Sequence, residues 1–191
     1  MKKIILVTGG SGMVGGNIIN HDLASKYEIL SPTSNELNLL NYQKISDYLK
    51  INKPQMIIHA AGIVGGIEAN IKYPVKFLAN NMKIGLNILM ASKDQNIKEF
   101  INLGSSCMYP KNSINPISED DILKGELEPT NEGYALSKIA STKLCEYISR
   151  QNNSFLYKTI IPCNLYGKYD NFASDTSHMI PGVIKRIFEA K

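Results

Sequence analysis

Tyr134 and Lys138 are the two residues whose types and spacing point most directly to chemistry. They are four residues apart at the start of a segment with helical periodicity, so their side chains would share one helix face. A phenol titrates near pH 10 in water, and a nearby ammonium lowers its pKa by stabilising the ionised form. The pair could then protonate a carbonyl oxygen while hydride arrives at the carbon. The spacing alone is nonspecific, because an exposed helix pair with no function shows the same pattern.

Four other positions could take part in proton exchange or substrate binding. Ser105 and Ser106 directly follow a predicted strand, at the edge where open α/β sheets bind ligands. A serine there can hydrogen-bond a substrate carbonyl, although serine is also a common turn former. Cys107 and His178 could each exchange a proton. A buried cysteine is more often inert packing, and a lone histidine is an ambiguous signal.

The segment from Gly9 to Gly15 reads GGSGMVG and predicts a dinucleotide site. It satisfies both G-x-G-x-x-G and G-x-x-G-x-x-G, and it lies between a predicted strand and a predicted helix. Glycines there permit a tight turn and close backbone approach to a pyrophosphate, which the helix N-terminus attracts. The alternative is a glycine-rich turn that holds no ligand.

The end of the second predicted strand favours NADP over NAD. An acidic residue at that point would hold the ribose hydroxyls of NAD. Here the sequence continues Ser31-Pro32-Thr33-Ser34 and reaches its first acidic residue at Glu36. Neither Arg nor Lys stands there to pair with a 2′-phosphate, so NAD remains the alternative.

Hydrophobic periodicity predicts five strands that alternate with helices. The strands fall at about residues 3–8, 27–31, 55–59, 98–103 and 155–161. One helix follows the glycine segment, three more occupy about 42–49, 74–94 and 133–152, and a last one starts near Pro181. Residues 110–132 read as an irregular loop. This order predicts a Rossmann-type, doubly wound parallel sheet with helices on both faces.

Composition excludes several classes of protein. The 191 residues are 43% hydrophobic and 20% charged, which is globular usage rather than that of a disordered, coiled-coil or collagen-like chain. No apolar run is long enough for a membrane span or a secretory signal. The net charge of +4 is dispersed, which argues against nucleic-acid binding. Three cysteines without CxxC spacing indicate a reducing, cytoplasmic setting and no metal site.

Seven segments together resemble the extended short-chain dehydrogenase/reductases, and within them the GDP-L-fucose synthase family. They are GGSGMVGG in the glycine segment, ELNLLN at 36–41, VGGIEAN at 64–70, LGSSCMYPK at 103–111, LEPTNEGYALSK at 127–138, NLYGKYDNF at 164–172 and SHMIP at 177–181. The resemblance covers nearly the whole chain. It implies NADPH-dependent 3,5-epimerisation and 4-keto reduction of GDP-4-keto-6-deoxy-D-mannose.

The resemblance also assigns roles to residues. Ser105, Tyr134 and Lys138 would form the reductase triad, and Cys107 and His178 would be the acid–base pair of the epimerisations. The substrate would contact Ser105, Ser106, Cys107, Tyr134, Asn164 and Arg186. The cofactor would contact Gly9, Gly10, Ser11, Gly12, Met13, Val14, Gly15, Ser34, Leu37, Leu39, Ala60, Ala61, Leu103, Gly104, Ser105, Tyr134, Lys138, Pro162, Asn164, Leu165 and His178.

In two respects the chain departs from this family. Some members carry basic residues on the 2′-phosphate where this chain has Ser11 and Ser34. The family also continues into a C-terminal substrate-binding part, so we expect residues 1–175 to form the cofactor domain and 176–191 to begin that part. Family members form homodimers through a helix bundle that would include the 74–94 and 133–152 helices.

The alternatives are a reductase of another GDP-keto-sugar, such as a 6-deoxyheptose, and a dinucleotide-binding module without catalysis. A nucleotide-sugar 4-epimerase with tightly bound NAD fits less well, because strand two lacks the acidic residue.

Overall fold

The computed structural model describes residues 2–173 and 177–190 and contains a five-stranded parallel sheet. Its strands are β1 (Ile4–Thr8), β2 (Glu28–Leu30), β3 (Met56–His59), β4 (Glu99–Leu103) and β5 (Leu156–Ile160), in the order β2-β1-β3-β4-β5. All four neighbouring pairs are parallel. The carboxyl ends of the strands therefore meet at one edge, and the predicted Rossmann-type sheet is confirmed.

Six helices within the described residues connect or follow the strands. They are α1 (Met13–Ile19), α2 (Tyr42–Asn52), α3 (Ile67–Lys72), α4 (Pro74–Asp94), α5 (Glu132–Gln151) and α6 (Met179–Glu189). The periodicity did not predict α3, because six residues are too few to show a helical pattern. The last helix starts two residues earlier than expected, which places Pro181 in its first turn, where proline is tolerated. A short 3₁₀ turn at Glu119–Asp121 interrupts the predicted loop.

The main core lies between the sheet and three of the helices. Phe100, Leu6 and Ile57 are fully buried on the strands. Side chains from α2, α4 and α5 pack against them: Ile45, Leu49, Ile88, Leu89, Cys145 and Ile148. The helix α1 connects β1 to β2, in the opposite direction to the other crossovers, so right-handed connections place it on the other face.

Two glycines let α4 and α5 pack closely. A Cβ on Gly85 would lie 3.3 Å from the Cβ of Ser141, and one on Gly133 would lie 3.3 Å from the Cβ of Leu78. The start of α5 is thereby held against the start of α4, beside the carboxyl end of β4. None of the described helices is long and apolar enough to cross a membrane.

Candidate active site

The glycine turn packs tightly between α1 and the chain that follows β3. Gly9 has a φ of 77°, and a Cβ there would lie 2.7 Å from the Ala61 nitrogen and 2.8 Å from the Ala60 carbonyl carbon. A Cβ on Gly15 would overlap the Gly9 carbonyl group. Gly12 is the N-cap of α1 and offers no side chain to its first amides. A backbone cradle of this kind fits a pyrophosphate.

Glu36 is the first acidic residue after β2, and it is held within its own segment. The Glu36 carboxylate accepts hydrogen bonds from the Thr33 nitrogen and hydroxyl at 2.7 and 2.9 Å, and these bonds lower its pKa. Ser34 is exposed, whereas Leu37 is buried in the main core and Leu39 packs against that core. Of the three predicted cofactor contacts in this segment, Ser34, Leu37 and Leu39, only Ser34 is exposed.

Tyr134, Ser105 and Lys138 lie together at the carboxyl end of β4. The Ser105 hydroxyl lies near the Tyr134 phenol and acts to lower its pKa. The Lys138 ammonium donates to the Leu103 carbonyl oxygen at 2.9 Å and lies 5.7 Å from the centre of the Tyr134 ring. Because Tyr134 and Lys138 are one turn apart on α5, the predicted shared face is observed.

Burial dominates the electrostatics of this cluster. It raises the pKa of Tyr134 to about 12, with Cys107 adding to the rise and the Ser105 hydroxyl opposing it. Burial also lowers the pKa of Lys138 to about 8. The expectation that the ammonium lowers the phenol's pKa is wrong for this arrangement, because desolvation wins and the ammonium donates to a backbone carbonyl. The phenol therefore stays protonated at neutral pH, as a proton donor must.

Cys107 faces the same site from a 3₁₀ turn at Ser106–Met108. Its sulfur accepts a hydrogen bond from the Asn131 side-chain nitrogen at 3.2 Å, and its backbone nitrogen donates to the Ser105 hydroxyl at 3.3 Å. Met108 is fully buried and anchors the turn. The structure thus brings Cys107 into the group formed by Ser105 and Tyr134.

His178 and Arg186 are carried by α6. His178 is the exposed N-cap residue of that helix. The neighbouring Ser177 carbonyl oxygen would lie 3.6 Å from a Cβ on Gly66, so the start of α6 approaches the start of α3. The exposed Arg186 donates from Nε to the Gly182 carbonyl oxygen at 3.3 Å.

Two further predicted groups follow β4 and β5. The Gly104 nitrogen donates to the Ile160 carbonyl oxygen at 2.8 Å, so the chain after β4 is tied to β5. Pro162 is half-buried, and Asn164 and Leu165 are exposed.

The structure adds residues that the sequence analysis missed. Asn81 is 5% exposed, and its side chain bonds both the nitrogen and the carbonyl oxygen of Ile63, at 2.8 and 3.0 Å. A Cβ on Gly62 would lie 3.3 Å from Asn81 Oδ1 and 3.8 Å from Lys138 Nζ. Asn81 thereby fixes the loop beside the ammonium. An asparagine within an apolar helix was the available signal.

His59 is the buried histidine at the carboxyl end of β3. Its Nδ1 hydrogen-bonds the Thr8 hydroxyl at 2.8 Å. Burial and the nearby Lys138 lower its pKa to about 3. His59 is therefore neutral at any physiological pH and serves the sheet as a polar packing group.

Comparison with known proteins supports the sequence resemblance. The chain matches the NAD dependent epimerase/dehydratase family over residues 5–191. It is 61% identical over 186 residues to GDP-L-colitose synthase of Yersinia pseudotuberculosis, covering 97% of this chain and 60% of that protein. It is 48% identical over 188 residues to GDP-L-fucose synthase of Azorhizobium caulinodans, covering 98% and 60%. The similarity to GDP-L-fucose synthases is thus confirmed.

Solved structures share the fold over the whole chain. A GDP-D-glycero-L-gluco-heptose synthase from Campylobacter jejuni, solved in the presence of NADPH, has a TM-score of 0.93 at 28% identity, covering 100% of this chain and 56% of that one. A GDP-L-fucose synthetase from Naegleria fowleri bound to NADP has a TM-score of 0.89 at 28% identity, covering 98% and 62%. The chain spans about 60% of the length of the curated relatives it matches. Sequence, fold and site geometry together place this chain in the NAD dependent epimerase/dehydratase family.

Proposed function

We propose that this chain forms the cofactor-binding and catalytic part of an NADP(H)-dependent epimerase–reductase. The substrate is GDP-4-keto-6-deoxy-D-mannose, which is inverted at C3 and C5 and reduced at C4 to give GDP-L-fucose. The observation that carries the proposal is the cluster of Ser105, Tyr134 and Cys107 beside the buried Lys138 ammonium. A proton donor and a second proton-exchanging group lie there at the edge where the sheet binds ligands.

The residues of the glycine turn fit a dinucleotide, and we assign it as NADP(H). Gly9 to Gly15 would hold the pyrophosphate, and the chain after β4 and β5 would lie along the nicotinamide half. The end of β2 supports NADP over NAD, because the chain continues Ser31-Pro32-Thr33-Ser34 with no acidic residue there to hold the ribose hydroxyls of NAD. Two similar solved structures are described with NADPH or NADP. When bound, the reduced cofactor supplies the hydride for C4.

Epimerisation uses the acidity of carbons beside a ketone. Cys107, as the thiolate, removes a proton from the carbon, and the C–H electron pair moves into an enolate whose charge rests on the C4 oxygen. His178 returns a proton to the opposite face of the same carbon, which completes the inversion. The hydroxyls of Ser105 and Tyr134 stabilise the C4 oxygen as the charge develops.

Reduction then fixes the product. As hydride reaches C4, the Tyr134 phenol donates its proton to the C4 oxygen. Tyr134→Phe should abolish NADPH consumption with GDP-4-keto-6-deoxy-D-mannose. Cys107→Ser should stop deuterium exchange from solvent at C3 and C5 while sparing hydride transfer. Exchange that survives this change would show that the base is another residue.

A second substrate is favoured by the 61% identity to a GDP-L-colitose synthase. That second candidate is the GDP-keto-sugar precursor of GDP-L-colitose. A third candidate is a GDP-4-keto-6-deoxyheptose, because the heptose synthase shares the fold. Parallel assays of NADPH oxidation with the three GDP-sugars decide among them by their ratios of kcat/KM.

Separate titrations test whether the chain is only a dinucleotide-binding module. Binding of NADPH without any binding of GDP would favour the module. We assign residues 176–191 to the start of a substrate-binding part, which predicts that Arg186→Ala weakens GDP-sugar binding and spares NADPH binding. We place the protein in the cytoplasm, where Cys107 stays reduced.

We also assign a homodimer built on α4 and α5. Apolar side chains recur on the outer faces of both helices and are exposed: Val75, Met82, Leu86, Leu136 and Tyr147. On α4 these lie at intervals of seven and four residues, which is the stripe expected for helix packing. A four-helix bundle of two such pairs would bury them.

A further inference from the structure

The Asn131 side chain is directed at a sulfur and away from the helix that it precedes. Asn131 is the N-cap residue of α5, yet its side chain makes no capping hydrogen bond to that helix. Its amide nitrogen donates to the Cys107 sulfur at 3.2 Å. Its Oδ1 is buried and has no hydrogen-bond partner among residues 2–173 and 177–190. The bond to sulfur is therefore what orients this amide.

The asparagine before α2 shows the ordinary arrangement. The Asn41 Oδ1 accepts from the Lys44 nitrogen at 3.0 Å and so caps its helix. Such a cap typically contributes about 1 kcal/mol to stability. Asn131 forgoes this bond and also leaves a buried carbonyl oxygen unpartnered, an arrangement that is unfavourable for folding alone. A function for the Asn131–Cys107 contact explains it.

We propose that Asn131 is the positioning residue for Cys107 in the epimerisation step, a role that rests on the proposed function. The donated N–H stabilises the sulfur most when it is negatively charged. It also holds Cys107 in one rotamer toward the reacting carbon. When the sulfur takes the proton and the enolate forms, the Asn131 bond weakens. It strengthens again when the thiol gives up that proton.

The same contact separates the roles of Cys107 and Tyr134. A negative sulfur opposes ionisation of the phenol, and Cys107 is one of the causes that raise the pKa of Tyr134. By holding the sulfur in place, the Asn131 bond keeps beside the phenol a neighbour that raises its pKa. The base and the acid then lie side by side without exchanging roles.

The test is Asn131→Asp, which keeps the size and the capping ability of asparagine but removes the N–H donor. We expect deuterium exchange at C5 to fall roughly tenfold or more, because hydrogen bonds to charged groups have about this effect. Hydride transfer should fall less than about twofold. Asn131→Ala should behave alike without adding charge, and Asn41→Asp is the matched control at an ordinary cap. Normal exchange in both Asn131 variants would overturn the proposal.

A second measurement needs no substrate. Iodoacetamide labelling of Cys107, followed by peptide mass spectrometry, should slow severalfold in both Asn131 variants and not in Asn41→Asp. The exposed Cys163 should label at one rate in all four proteins. Unchanged Cys107 labelling in both Asn131 variants would show that the Asn131 amide does not affect the sulfur, and would overturn the proposal. If labelling is slowed in the Asn131 variants but the parent protein shows no deuterium exchange on any of the three GDP-sugars, the contact stands and the proposed function is overturned.

Discussion

At the scale of single residues, the glycine turn separates positions needed for folding from positions reserved for a ligand. A Cβ on Gly15 would overlap the backbone of Gly9, whereas a Cβ on Gly12 would have its nearest neighbour, the Gly9 oxygen, at 3.4 Å. The two glycines look alike in the sequence. Their surroundings differ: Gly15 packs against the turn, whereas Gly12 faces open space.

This contrast makes a first prediction. Gly15→Ala should destabilise the protein by about 2 kcal/mol or more, since backbone must move to accept the methyl group. Gly12→Ala should leave stability within about 0.5 kcal/mol and weaken NADPH binding at least tenfold. Urea unfolding and fluorescence titration of NADPH measure the two effects. Equal loss of stability in both variants would contradict the assignment of Gly12 to the ligand.

Lys138 is a buried ammonium, which has a consequence for stability against pH. Its folded pKa of about 8 lies below the ordinary value of 10.5. Below pH 8 the lysine is charged in both states, and burial of the charge opposes folding. Between about pH 8 and 10.5 the unfolded chain binds more protons, so this lysine's contribution to stability rises with pH.

Lys138→Met should therefore stabilise the unliganded protein at pH 7 by about 1–2 kcal/mol, allowing for the lost hydrogen bond to Leu103. The advantage should shrink towards zero or reverse near pH 10. Urea unfolding of parent and variant at both pH values gives the difference. Lys83→Met, at an exposed position on α4, controls for removal of a surface lysine. A destabilised variant at pH 7 would contradict the argument.

At the scale of elements, the strands and long helices could be predicted because their apolar patterns extend over many residues. The five strands and α4 were placed within about two residues, a normal boundary error. The helix α3 was missed because it is short, and Asn131 was missed because an asparagine before a helix predicts a cap. Only the three-dimensional structure shows that its amide meets the Cys107 sulfur.

The site cluster was recognisable from spacing, but its electrostatics were not. The spacing of Tyr134 and Lys138 predicts a shared face and says nothing about how deeply that face is buried. Burial reverses the expected direction of the Tyr134 pKa shift. Contacts between elements that are distant in sequence, such as Asn81 with Ile63, were likewise invisible to local patterns.

The close packing of α4 against α5 makes a prediction about elements. Gly85→Leu should destabilise the protein by about 2–3 kcal/mol, because Ser141 occupies the space that the side chain would need. The separation of the helices would also move Tyr134 and Lys138, so NADPH oxidation should fall with stability. Chemical denaturation measures the first effect. The control is Lys83→Leu, which adds the same side chain at an exposed position on α4 and should change stability little.

At the scale of the whole molecule, the outer faces of α4 and α5 govern the proposed assembly. Leu86 is 53% exposed near the middle of the stripe. A charge at this position should convert a dimer into monomers, because a buried unpaired carboxylate is strongly unfavourable. Sedimentation velocity of Leu86→Glu should show the smaller species. Ile51→Glu on α2, at a residue that is 77% exposed, should leave the dimer intact.

A parent protein that sediments as a monomer at all concentrations would remove the dimer proposal. A dimer that survives Leu86→Glu would place the interface elsewhere. Neither result bears on the catalytic cluster, whose members on α5, Tyr134 and Lys138, are not on the exposed face that carries Leu136.

Asn81 connects the loop beside the site to the exposed apolar face of α4. The Asn81 side chain hydrogen-bonds the nitrogen and the carbonyl oxygen of Ile63, which lies in the loop beside Lys138. The next residue, Met82, faces outward in the apolar stripe. Any rigid shift of the helix would therefore pull the wall of the site along with it. A crosslink or an engineered contact that moved Met82 would therefore also move Asn81 and, through it, the Ile63 loop beside Lys138.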